Sequence, residues 1–269
     1  MNKKFTSALI VSAAALTGAL SNATAASAFD WDSSWQPRQI FSKAQANFND
    51  QPFQQFVQKE GLALTNSDQF KVNADNLFLK YDHDVKVSFI NEGAGYRNQL
   101  GFRAKGTTNT SGMLFNDISC TGTGCVGDWG GKALKLGDTV QTGLIKGGTQ
   151  LDFGLRANGF NRGTDSYVFG TPSSQNPDGL QHVVAYTVGD RYLMLGFEDL
   201  YGDGTSNQGK FGEKSDRDFN DTVFVVDIGE ANVRCLKAGS CKDVPEPAAA
   251  MSLAGVSLAA FVLKRRSRA

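Results

Sequence analysis

Residues 181–197 read QHVVAYTVGDRYLMLGF, and this stretch decides the fold. Two runs of alternating apolar residues flank Gly189-Asp190, which predicts an antiparallel hairpin closed by a two-residue type II′ turn. The pattern recurs on both sides. Upstream, LFLKY (77–81), VKVSFI (85–90), QLGFRAK (99–105), GMLFN (112–116), TVQTGLI (139–145), TQLDFGLRA (149–157) and SYVFG (166–170) read as strands, and TVFVVDI (222–228) follows. Strands bounded by Gly, Asn and Asp, with no helical crossovers between them, predict a mainly β protein. The expected architecture is an antiparallel, jelly-roll-like β-sandwich over residues 76–229. The lack of helical crossovers argues against a parallel α/β sheet, and no fixed-period repeat supports a propeller or solenoid.

Ahead of the strands the period changes. In residues 29–75, Ile40, Phe41, Ala44, Phe48, Phe53, Phe56 and Val57 recur at mixed three-and-four spacing, which predicts a short, partly helical extension. Asp50 before Gln51-Pro52 resembles an N-cap with Pro in the first turn.

Acidic chemistry is concentrated in residues 198–227, EDLYGDGTSNQGKFGEKSDRDFNDTVFVVD. Glu198-Asp199 closes one strand, and Asp216-x-Asp218-x-Asn220-Asp221 enters the last. Closely spaced carboxylates repel unless a cation or solvent separates them, and Ca²⁺ takes six to eight oxygens. An EF-hand loop is excluded, because Asp221 stands where that loop requires Gly and Asp227 where it requires Glu. The expected site instead lies between two strand ends. Strand alternation would point Asp216, Asp218 and Asn220 one way and Asp221 the other, and would likewise part Glu198 from Asp199. On that geometry the expected calcium ligands are Asp199, Asp216, Asp218 and Asn220, with Glu198 and Asp221 as second choices. A solvated acidic loop using Asp and Asn for its turns is the alternative.

GTQLDFGLRANG (148–159), GLQHVVAY (179–186), LGFEDL (195–200) and SDRDFNDTVFVV (215–226) together resemble the DUF4114 family of exported bacterial domains. The resemblance extends over residues 94–229, with KYDHDVKVSFINEGAGYRNQLGF (80–102) similar to the family's lead-in strands. It implies a β-sandwich on secreted or surface proteins with the acidic motif as a calcium site, and it carries no catalytic activity. The Gly-rich insertion after Asp203 leaves that residue's membership of the site open.

The chain's ends predict export. Residues 1–28 combine Lys3 and Lys4, an apolar stretch and Ala26-Ser27-Ala28, as a Sec signal peptide cleaved between Ala28 and Phe29 does; an earlier cut at Ala25 and an uncleaved anchor are the alternatives. Residues 244–269 place Pro245-Glu246-Pro247 before a charge-free run, 248–263, and then Lys264, Arg265, Arg266 and Arg268. As a helix that run spans roughly 24 Å, slightly short of the ~30 Å hydrocarbon core, with its cationic end cytoplasmic. The order resembles a PEP-CTERM sorting signal, which implies handling by an exosortase-type enzyme. The resemblance implies transient anchoring in the inner membrane, then display on the cell surface or in the extracellular matrix. A plain C-terminal transmembrane anchor is the alternative.

Export also bears on the cysteines. Cys120/Cys125 and Cys235/Cys241 form two close pairs, the second within a linker expected over residues 230–243. In an oxidising compartment local disulfides are expected, since C-x4-C and C-x5-C suit zinc poorly and no His lies nearby.

Function is bounded mostly by exclusion. Formal net charge is zero and basic residues cluster only at the termini, which leaves no nucleic-acid footprint. No G-x-S-x-G, H-E-x-x-H or P-loop is present. His182 reads as a packed core histidine rather than a catalytic one, and His83, between Asp82 and Asp84, as part of a solvated turn, with metal binding as the alternative. Trp31, Trp35 and Trp129 suit either core packing or sugar stacking. Glu198 with Asp218 could imitate a glycosidase pair. The leading expectation is a calcium-binding structural or adhesive surface protein without enzymatic activity. A module binding extracellular polysaccharide is the second reading, and a glycan hydrolase the third.

Overall fold

The computed structural model describes residues 29–57, 71–126, 131–206 and 209–241. The expected signal peptide through Ala28, the sorting tail and Trp129 lie outside them. Among the described residues no helix is long and apolar enough to cross a membrane.

The chain is mainly β, and its strand pairs are antiparallel. The described strands are β1 (Ile40–Phe41), β2 (Lys71–Val72), β3 (Phe78–Leu79), β4 (His83–Asn91), β5 (Asn98–Gly106) and β6 (Thr110–Ile118). After them come β7 (Thr139–Ile145), β8 (Thr149–Arg156), β9 (Val168–Gly170), β10 (Val183–Val188), β11 (Tyr192–Phe197) and β12 (Thr222–Asp227). One sheet runs β1-β7-β4-β12-β11-β10-β2 and the other β3-β8-β5-β6, with β9 paired to β8. The β10–β11 hairpin forms as expected, but Val188 pairs with Tyr192, so its loop is three residues, Gly189 to Arg191. Gly189 supplies the positive φ, 58°, that the tighter bend needs.

Period-2 alternation sorts the apolar side chains into two cores. Val87, Phe89, Leu195, Phe197, Phe224 and Val226 of the larger sheet meet Leu100, Phe102, Leu151, Phe153 and Leu155 of the smaller one in one buried cluster. Phe153 carries the contact across the gap, with ring centroids 5.3 Å from Phe224 and 6.4 Å from Phe102. The intervening residues Ile90, Val184, Met194, Val223 and Val225 face the other way. They form a second cluster with Phe53, against which Phe48, Phe56 and Val57 pack. That second core explains why β12 is buried along its whole length rather than alternately.

The N-terminal segment therefore supplies a cover for the outer face of the larger sheet. Its helices α1 (Lys43–Ala46) and α2 (Gln51–Gln54) are single turns. Ser42 and Gln45 form a capping box on α1. Asp50 makes no capping hydrogen bond at α2; its carboxylate instead pairs with Lys43 Nζ at 2.9 Å. Phe29, Trp31 and Trp35 pack on the smaller sheet above Gly101 and Gly154, which face each other across β5 and β8. A Cβ on Gly154 would stand 2.2 Å from the Phe29 ring, so the glycine there makes room for an aromatic side chain. Both described tryptophans are thus packing residues.

Past α3 (Gly159–Arg162), the chain ends its described course in α4 (Glu230–Lys237), within the segment expected as a linker. Buried Asn232 fastens this helix to the fold: Oδ1 accepts from the Lys80 and Tyr81 amides, each at 2.9 Å, and Nδ2 donates to the Tyr81 and Ile228 carbonyls. Asn232→Ala removes all four bonds and is expected to cost about 2 kcal/mol, or roughly 4–8 °C of melting temperature, measurable by calorimetry. Both expected disulfides are made, Cys120–Cys125 and Cys235–Cys241, with Cα separations of 5.8 and 5.1 Å.

Candidate metal centre

Antiparallel register builds the site. Phe197, the last residue of β11, pairs with Thr222, the first of β12. The residues just beyond, Glu198 and Asp199 on one side and Asp221 on the other, must then meet at one end of the sheet. The intervening loop returns Asp216 and Asp218 to the same place. Glu198, Asp216 and Asp218 form one triad of carboxylates, and Glu198, Asp199 and Asp221 a second, with the potential ligand oxygens of each triad within 4.8 Å of one another. Glu198 belongs to both.

Local backbone explains where the strand argument fails. Regular structure stops at Phe197, so Glu198 and Asp199 no longer face opposite sides and both enter the cluster. Residues 216–221 are not extended either. Arg217 and Phe219 take left-handed conformations, with φ of 59° and 61°. Such residues cost about 1–2 kcal/mol each. Here they turn the chain twice and bring Asp216, Asp218 and Asp221 into the cluster. Glu198 and Asp221, the second choices from the sequence, are therefore as central as Asp199, Asp216 and Asp218. Asn220 is fully buried beside them, its backbone amide bonded to Asp218 Oδ1 at 3.0 Å. Asp203 belongs to neither triad and accepts from the Thr205 amide and hydroxyl.

Burial makes the cluster electrostatically demanding. Glu198, Asp199, Asp218 and Asp221 are all buried, whereas Asp216 is exposed. Glu198 Oε1 accepts from the Leu200 amide at 3.1 Å, and its Oε2 is buried with no hydrogen-bond partner. Burial pushes the Glu198 carboxyl up to about 7; the Leu200 amide and Ser215 oppose this, and the charges of Asp216 and Asp218 add to it. Asp221 is driven well above the usual carboxylate range, first by burial and then by Asp199, Glu198 and Asp218, although it accepts from the Asp199 amide. Carboxylates destabilised by like charges and by lost solvent are what a bound cation relieves. The donor set is all oxygen, with no thiolate or imidazole in either triad, and therefore suits a hard cation.

A second layer, not anticipated from the sequence, holds the cluster in place. Asn98 Nδ2 donates to Asp199 Oδ2 at 2.6 Å, and Asn98 Oδ1 accepts from the Asn158 amide at 2.8 Å. Asn98 opens a strand, NQLGFRAKG, that also carries Gln99, Arg103 and Lys105, so its residue type did not set it apart in the sequence. His182 is the packed core residue expected: fully buried and stacked 3.7 Å from Phe169, it bonds the Glu198 carbonyl and the Asp178 carboxylate. His83, in contrast, opens β4 and bonds Asp227 at 2.8 Å, so it belongs to a strand rather than a solvated turn.

Burial raises the Asp178 carboxyl, but His182 and the Gly202 and Leu180 amides outweigh it and hold the group well below the usual range. A folded value below the unfolded one stabilises the fold above about pH 4 and ceases to do so as pH falls further. Asp178→Asn is therefore expected to lower the melting temperature at pH 7 and to flatten its fall between pH 4 and 2, a difference read directly from paired melting scans.

No curated protein and no solved structure matches the chain. Residues 137–229 match the domain of unknown function DUF4114, a narrower span than the resemblance read from residue 94, and residues 243–266 match the PEP-CTERM protein-sorting motif. The chain thus carries a DUF4114 domain followed by a PEP-CTERM sorting motif, the mark of an exported protein handled by exosortase-type sorting machinery.

Proposed function

We propose that this protein is a calcium-stabilised, jelly-roll-like β-sandwich whose work is structural or adhesive, on the cell surface or in the extracellular matrix. The observation that carries the reading is Glu198: a buried carboxylate, shared by two triads, with one oxygen left without a hydrogen bond. Calcium fits the all-oxygen donors and abounds outside cells, where the sorting motif sends the chain. We propose no catalytic role. Tyr167 and Tyr201, which line a small cavity beside Asp199 together with Tyr96 and Phe211, pack on each other at 4.9 Å.

Thermal melting tests the reading. At calcium concentrations about 100-fold above Kd, binding adds about 2.7 kcal/mol, an expected rise of roughly 5–10 °C over the same sample in chelator. Identical melts with calcium and with chelator would remove calcium from the proposal.

A further inference from the structure

We propose that the centre holds two calcium ions bridged by Glu198, an inner ion taken by Asp199 and Asp221 and an outer ion taken by Asp216 and Asp218. This rests on the calcium reading above and goes beyond it in stoichiometry and in the roles of the two positions. The carboxylates do not meet as one ring. Asp216 shares a triad with Glu198 and Asp218, whereas Asp199 and Asp221 share theirs with Glu198 alone. Glu198 has the two oxygens that bridging requires: Oε1 accepts one amide, and Oε2 is buried without any hydrogen bond. A buried carboxylate oxygen beside four other carboxylates and without a hydrogen-bond donor of its own points to a cation.

Charge leads to the same count. Five carboxylates converge, and one divalent ion would leave three negative charges in a largely buried cluster. Two ions leave one. That residual charge falls most naturally on Asp216, the exposed member of the set. The two positions then differ in kind. The inner triad is buried throughout and tied to the strands, with Asp199 fixed by Asn98 and its amide bonded to Asp221 at 2.6 Å. The outer triad opens to solvent through Asp216, and its backbone turns at Arg217 and Phe219. The inner ion is a structural one. The outer ion keeps water-filled coordination positions and exchanges faster.

Equilibrium dialysis of the purified full chain against calcium, with metal measured per chain, tests this. Two ions per wild-type chain are expected. Asp216→Asn is expected to retain one, the tighter, and Asp221→Asn also one, with Glu198→Gln weakening both at least about tenfold. One ion per wild-type chain overturns the bridged pair and leaves the calcium reading standing; none overturns both. A measurement on the wild type alone covers the case of a variant that fails to fold. Tb³⁺ luminescence, compared in H₂O and D₂O, is expected to decay with two lifetimes, the shorter reporting more bound water. A single lifetime at saturation overturns the proposal.

Discussion

Asp221→Asn is expected to raise the melting temperature of the calcium-free protein at pH 7.5 and to shrink its response to calcium. Ordinarily a change at a buried polar residue destabilises. Here the wild-type group is held in a state that its surroundings oppose, because Asp221 is buried and faces the charges of Asp199, Glu198 and Asp218. Without metal, the chain must either protonate this carboxyl at a pH where it would rather ionise or keep a charge among charges. Asn preserves the shape and an oxygen to accept the Asp199 amide, but carries no charge. A gain of about 2 kcal/mol, or roughly 4–8 °C, is expected in chelator. With calcium present the order reverses, because the variant has lost a ligand.

The wild type adds a pH signature. Glu198 is raised to about 7 in the folded, metal-free chain. A carboxyl whose folded value lies above its unfolded value stabilises at low pH and loses that contribution as pH rises from about 4.5 to 7. Calcium, by holding the carboxylates ionised, removes this decline. If Asp221→Asn melts lower than wild type in chelator at pH 7.5, the electrostatic account of the cluster is wrong, whatever its metal.

How much of this was legible in the sequence depends on which interaction sets each feature. The β10–β11 hairpin could be read because alternation and a Gly-containing turn are local properties. The acidic residues could be identified because they crowd into a short stretch. Their arrangement could not be derived in the same way. It depends on Phe197 pairing with Thr222 across a loop of more than twenty residues, and on left-handed turns at Arg217 and Phe219, residues with no intrinsic preference for them. Strand alternation holds only as far as the strands do, so it could not show that Glu198, Asp199, Asp216, Asp218 and Asp221 converge. The N-terminal aromatic residues showed a helical spacing but gave no sign of the sheet face they cover.

Strand order also shows what the family match leaves out. The matched residues 137–229 contain β7 and β12, yet β4, which lies before them in sequence, sits between those two strands and pairs with both. β8 likewise takes β5 as its neighbour. The matched span therefore begins inside a sheet, and in this chain the folded unit must begin upstream of it. Asn98, which positions Asp199, comes from that upstream part. The acidic cluster and the fold thus depend on the same upstream strands.

Phe153→Ala is expected to produce the largest loss of stability, about 3–5 kcal/mol, with a fall of roughly 6–20 °C in melting temperature. The ring is fully buried and lies between Phe102 of its own sheet and Phe224 of the facing one. Removing it deletes apolar contact on both sides and opens a cavity that two hydrogen-bonded sheets cannot collapse to fill. Cavity formation alone would make the single variant uninformative about architecture, since any buried Phe gives a similar figure. The double variant with Phe224→Ala separates the possibilities. If the two rings meet across the interface, the second truncation costs less once the first is made, and a coupling of about 1 kcal/mol is expected. Phe102→Ala and Phe224→Ala, whose rings have no direct contact among the aromatic pairs, should add more nearly independently. Strict additivity of Phe153 and Phe224 would mean that the sheets do not share this core, and the position of β12, hence of Asp221, would have to be drawn again.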